Sequence, residues 1–169
     1  MAKILPIKIF SCPSLRETSR DLAASELAQA EIKKLIADME KTMKEKDGAG
    51  LAAPQVGRNL KIIVINTQDG TLALVNPKIL KKSWKKEVME EGCLSLPEVF
   101  GLVKRSAKVR VIGLSPDGTK IYFTAAGFLA RVLQHEIDHL SGILFIDKAK
   151  EITQGKDILE KYKSQITNG

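Results

Sequence analysis

Histidine and cysteine are the scarce residues of this chain, with two of each among 169. Cys12 and Cys93 are too few to make a disulfide framework at this length. A reducing compartment is expected, and it leaves Cys93 free for chemistry. Aromatic residues make up only 5% of the chain, with a single tryptophan. The core must therefore be mostly aliphatic. No apolar run approaches the ~20 residues that a membrane helix needs, so no membrane partner is expected. The opening residues, Met1 to Phe10, are apolar but broken by Pro6 and Lys8, too short a stretch for a signal peptide. A cytoplasmic protein is expected, with a processed organelle form left open. Internal repeats and low-complexity blocks are missing as well.

What is present suits one domain spanning residues 1–169, long enough to bury a core without staples. The net charge of +7 can draw a protein toward polyanions. The lysines are scattered, with the densest groups at Lys81, Lys82, Lys85 and Lys86 and again from Lys148 to Lys163. They read as solvated faces with weak electrostatic steering, not as an aromatic-lined stacking surface, and no DNA partner is expected.

Ala28, Ile32, Leu35, Ile36, Met39 and Met43 recur at helical spacing and predict an amphipathic helix over about 25–46, ended by Gly48. Lys61 to Asn66 is a β-branched strand, and Leu72 to Val75 is another, stopped by Asn76-Pro77. Ser115-Pro116-Asp117-Gly118 is a turn between strands at 109–112 and 121–124. Helical patterns return from Ala125 to about Ser141, closed by Gly142, and from about Gln154 to Ile166. Strands and helices fall in separate groups. That predicts an α+β fold of mainly antiparallel sheets around a central helix, with an amphipathic helix near the N-terminus and a short one at the C-terminus.

Both histidines lie in His135-Glu136-Ile137-Asp138-His139. On a helix, positions i and i+4 share a face with Cβ atoms about 5–6 Å apart, so two imidazoles there can share one ion. The glutamate beside the first of them can reach a water at that ion and act as general base. Phe128 and Val132 continue the same face as an apolar wall beside the ion. A catalytic site of this kind wants three protein ligands and one open position. Asp147, Glu151 and Glu160 are candidates for the third, and Cys93 is the better one, held between Gly92 and Leu94. By itself Cys93 reads as an inert buried thiol. A cysteine with two histidines suits zinc, iron or nickel. The same set occurs in blue-copper electron carriers, which have no use for a base such as Glu136.

Gly48-Ala49-Gly50-Leu51-Ala52-Ala53-Pro54-Gln55 is the remaining unusual stretch. It lacks the Gly-Lys-Ser/Thr ending of a phosphate loop. Alone it reads as a tight helix-to-strand connection with a surface glutamine. Beside a metal site, its glycines would let a backbone approach a ligand, and the Gln55 amide could donate to a developing oxyanion.

Gly48 to Gln55, Glu91 to Ser95 and Gln134 to Leu140, in this order, resemble the three signature blocks of the peptide deformylase family. Pro13 to Arg16, Val103 to Arg105 and Gly142 to Asp147 resemble it too, so the likeness runs from about Ile7 to Asp147. The resemblance implies a metal-dependent hydrolase that removes the N-formyl group from the starting methionine of newly made polypeptides. It implies that Cys93, His135 and His139 bind the metal, usually ferrous iron and often zinc or nickel after purification. Glu136 would be the general acid and base, with the Gln55 amide and the Leu94 N–H holding the oxyanion. Backbone groups of Ala49, Gly50 and Gly92 would hold the substrate as an added strand, and Phe128 and Val132 would receive the methionine side chain. Ala49 stands where a larger aliphatic residue is common, and Cys12 where an aspartate is frequent. Some relatives touch the ribosome through their C-terminal helix, so weak ribosome association is a further implied partner. The rival readings are a zinc endopeptidase and a basic ribosome- or RNA-binding protein with a structural metal.

Overall fold

In the computed structural model, which describes residues 1–167, two antiparallel sheets meet across one helix. The helices are α1 (Ala24–Leu27), α2 (Ala30–Glu45), α3 (Gly127–His139) and α4 (Lys156–Thr167). The larger sheet runs in the order β1 (Gly50–Ala52), β2 (Ile62–Thr67), β3 (Gly70–Lys82), β6 (Lys108–Leu114), β7 (Lys120–Ala126). The smaller runs β4 (Lys86–Cys93), β5 (Leu96–Ser106), β8 (Ala149–Gln154). The expected α+β architecture around the helix that carries both histidines is present.

The continuous apolar run of β2 has a direct cause. Ile62 and Val64 face the cluster under α2, while Ile63 and Ile65 face the cluster under α3. A strand covered on both faces needs apolar residues at every position, not at alternate ones. Each such side chain contributes about 1.5–3 kcal/mol when fully buried. A third cluster, with Phe10, Leu96, Val99 and Phe145, fills the space between the smaller sheet and α4.

Helix α3 is tied to both sheets. Ala130 and Leu133 pack on the larger one. Gln134 bridges to the end of β5: its Nε2 donates to Ser106 O (2.9 Å) and its Oε1 accepts from Ser106 N (3.1 Å). Arg131 reaches the smaller sheet, donating to Val103 O (3.0 Å) and Glu87 O (2.8 Å). These bonds fix the rotation of α3, and so the direction in which its histidines point.

Three sequence expectations need correction. The single helix over 25–46 is two pieces, because Gln29 takes extended backbone between α1 and α2. The left-handed residue that ends α2 is Asp47 (φ 52°), not Gly48, whose N–H instead bonds back to Met43 O at 2.9 Å. Strand β3 does not stop at Asn76-Pro77. Asn76 turns to φ 50°, its side chain bonds both Leu22 N and Leu22 O, and the register shifts between Val75 and Lys78. That bulge absorbs the amide hydrogen Pro77 lacks, so the strand continues. Gly142 does follow the end of α3, at φ 70°, where a Cβ would stand 2.3 Å from Arg16 O. Only glycine fits there.

Candidate active site

The i, i+4 spacing on α3 sets His135 and His139 with ring centroids 5.0 Å apart. Strand β4 ends at Cys93 against that helix face. Cys93 Sγ lies 3.3 Å from His139 Nε2, and one donor atom from each of Cys93, His135 and His139 fall within 4.8 Å of one another. The other proposed third ligands are elsewhere: Asp147 pairs with Arg16, and Glu151 and Glu160 are exposed.

Glu91, two residues before Cys93, orients this set. Its carboxylate accepts from His135 Nδ1 at 3.0 Å, from Arg105 Nε and NH2 at 2.6 and 2.9 Å, and from Arg131 NH1 at 2.6 Å. Arg105 also donates to Asp138 at 2.6 Å. A carboxylate on one ring nitrogen fixes the tautomer and leaves Nε2 to face the other donors. Burial opposes ionisation of Glu91, but the Arg105 guanidinium and His135 outweigh it and hold the carboxyl far below the ordinary range. The sequence reading quoted Glu91 and Arg105 inside family-like segments without giving them work, and missed Arg131. No local spacing links them; only the meeting of β4, β5 and α3 does.

Glu136 is buried, and its Oε2 has no hydrogen-bond partner. Burial pushes its carboxyl up to about 7, against the attraction of His135 and Arg105. A base poised near neutrality suits proton transfer. Burial opposes charging of His135, but hydrogen bonds to Cys93 and Glu91 carry it up to about 10. Burial, and then the charge of His135, hold His139 well below its ordinary value. A thiol and two imidazoles gathered beside two buried carboxylates form a donor set suited to a cation. A soft sulfur and two nitrogens, oriented by a buried carboxylate, fit a divalent first-row metal. Among the described residues no fourth ligand joins the three, so the closed set of a structural site is not formed.

Gln55 is not on the surface, as its segment alone suggested. It is buried, its Oε1 accepts from Ala52 N (2.8 Å), and its Nε2 lies 3.4 Å from Cys93 Sγ and donates to Ser95 Oγ (3.2 Å). A cavity of about 1010 Å³ opens over this cluster. Gly48, Ala49 and Gly50 border it on one side and Glu91 to Leu94 on the other, with Val132, His135 and Glu136 at its floor. Val132 is buried, while Phe128 is 62% exposed at the mouth. β1 and β4 are each the edge strand of their sheet, and the cavity runs between them. Ala49 O already accepts from Asn66 N at 2.9 Å.

Fold and site together fit the class of metal-dependent hydrolases, with a buried carboxylate beside one thiol and two imidazoles and two open strand edges for an extended chain. Residues 4–155 match the family model for polypeptide deformylase. The chain is 45% identical over 151 residues to the peptide deformylase of Halothermothrix orenii, covering 88% of this chain and 96% of that one. The crystal structure of peptide deformylase from Thermotoga maritima superposes with a TM-score of 0.83 at 39% identity, covering 87% of this chain and 98% of that one. A class I type b peptide deformylase from Acinetobacter baumannii with Met-Ala-Ser bound gives 0.84 at 35% identity, covering 88% and 99%. The chain belongs to the peptide deformylase family and is an enzyme that removes the N-formyl group from nascent polypeptides. The endopeptidase and RNA-binding readings are set aside as primary functions.

Proposed function

We propose that Cys93, His135 and His139 hold one divalent ion, ferrous iron in the cell with zinc or nickel as substitutes, and that the whole chain of 169 residues acts as one catalytic domain. When bound, such an ion supplies Lewis acidity and brings the pKa of a coordinated water toward neutrality. Glu136 takes the proton of the attacking water and returns it to the leaving amine. The Gln55 amide and the Leu94 N–H donate to the formyl oxygen as charge builds on it; one such donor is worth roughly 3–4 kcal/mol. The formylated end enters as an added strand held by backbone groups of Ala49, Gly50 and Gly92, and its methionine side chain lies against Val132 and Phe128. Formate and a free amino terminus leave. Substrates are N-formylmethionyl nascent peptides, met in the cytoplasm, with at most weak contact to the ribosome.

The observation that carries this reading is the meeting of Cys93 Sγ with both imidazoles beside a buried carboxylate, Glu136, whose Oε2 is unpartnered. The test pairs metal analysis of anaerobically purified protein with formate release from a formyl-Met peptide and hydrolysis of the same peptide unformylated. Formate release with one iron per chain is expected. Cleavage of the unformylated peptide bond, or full activity without metal, would sink the assignment.

A further inference from the structure

The only tryptophan of the chain, Trp84, is 98% exposed. It is not on a frayed loop. Ser83 N donates to Lys108 O (2.9 Å), Lys108 N to Ser83 Oγ (3.0 Å), Ser83 Oγ to Lys85 O (2.9 Å), and Ala107 N to Lys85 O (3.0 Å). A turn pinned on both sides thus presents an indole to water. The reading of these lysines as plain solvated faces overlooked the aromatic standing between Lys82 and Lys85.

The sheet beside this turn carries the same chemistry. Arg110 lies opposite Lys81 on β3, so their side chains share a face, and Lys108 is on that face by alternation. Tyr122, opposite Ile112, is also on it and 56% exposed, with the Arg110 guanidinium 5.8 Å from its ring centre. β3, β6 and β7 contain no acidic residue. Among the described residues Lys81, Lys108 and Arg110 have no acidic partner, while Lys85 has Glu87 at 3.4 Å. Ser83 is level with Lys108 and Tyr122 with Ile112, so about 13 Å of strand at ~3.3 Å per residue separates Ser83, the residue before Trp84, from Tyr122. None of these residues borders the catalytic cavity.

We infer that this face, together with the Trp84 turn at its end, binds single-stranded RNA. Unpaired cations track a phosphate backbone, and exposed ring faces stack on unpaired bases without reading their identity. A duplex offers no free base faces to the two exposed rings. RNA is the polynucleotide present where the substrates of this enzyme are made. With Lys81, Lys108 and Arg110 each neutralising a phosphate, a slope of about −0.7 per contact weakens binding about 20-fold between 50 and 200 mM salt.

Because Trp84 is the sole tryptophan, its fluorescence reports the contact directly. Metal-loaded enzyme is titrated with an oligouridine of about 12 nucleotides, inside the ~4–16 nucleotide range of such sites. Quenching with the stated salt dependence is expected. Trp84→Ala should weaken binding of a labelled oligouridine roughly 5- to 150-fold, Trp84→Phe should retain most of it, and deformylation of a short formyl-Met peptide should be unchanged in both. Three results would overturn the inference: no quenching at 50 mM salt, dextran sulfate competing fully while Trp84→Ala binds RNA as tightly as wild type, or a blue-shifted emission on anionic phosphatidylglycerol vesicles with no RNA binding.

Discussion

Replacing Gly50 by alanine tests how tightly Glu136, the proposed base, is held. A Cβ on Gly50 would stand 2.6 Å from Glu136 Oε1 and 2.8 Å from both Cδ and Cγ. Carbon atoms in good contact sit about 3.5–4.0 Å apart, so the overlap approaches 1 Å. Gly50 is held by its pairing with Ile65 across β1 and β2, so Glu136 must yield, and it can do so only by swinging its carboxylate out of place within the cavity it floors. A displacement of about 1 Å at a catalytic group costs on the order of 10²-fold, or about 2.7 kcal/mol of barrier. Overpacking should also lower stability by about 1–3 kcal/mol. Formate release under steady state, urea unfolding and metal content measured together separate these effects. The expected variant is folded, loaded with metal and slow in kcat. Gly48→Ala is the comparator, since its nearest neighbour is the flexible Leu94 Cδ1 at 3.1 Å, and it should keep most of its activity. A Gly50→Ala enzyme with kcat within about threefold of wild type would refute the claim that Glu136 needs this position.

Gln55→Ala should lower kcat about 10²- to 10³-fold, and an effect confined to KM would reduce Gln55 to a binding group. Cys93→Ala should lose the metal on dialysis; an unchanged metal content would mean that another residue completes the set. Arg105→Met leaves Glu91 short of its bidentate partner and should cost about 3–5 kcal/mol in urea unfolding; a loss below about 1 kcal/mol would show that Arg131 suffices. In metal-free protein, burial raises the Glu136 carboxyl from 4.5 to about 7. The folded state then holds a proton that the unfolded state has released, so stability falls as pH rises from about 4.5 to 7. Relative to Glu136→Gln, wild type should lose roughly 3 kcal/mol over that interval, and parallel stability curves would contradict it.

The sequence carried most features set by neighbours along the chain, though not the break at Gln29 or the left-handed Asp47. Helical spacing made His135 and His139 a pair because α3 repeats every ~3.6 residues. The β-branched run at 61–66 marked a strand, and Ser115 to Gly118 marked the hairpin between β6 and β7. A proline-based stop at Pro77 failed because a bulge and the Asn76 side chain compensate for the missing donor, and that compensation comes from Leu22, remote in sequence.

What only the tertiary structure decided is which distant groups meet. Nothing near Cys93 in sequence says that its sulfur reaches the His139 ring, and family resemblance, not spacing, suggested it. The Glu91–Arg105–Arg131 cluster assembles where two strands and a helix cross, so no periodicity encodes it. The exposure of Trp84 was equally illegible, since a lone tryptophan among lysines gains or loses burial only through how its turn is pinned to β6. Short-range dihedral and burial preferences act on adjacent residues and survive in the pattern of letters. Ion-binding donors and buried charge networks depend on through-space distances, which exist only once the chain has folded.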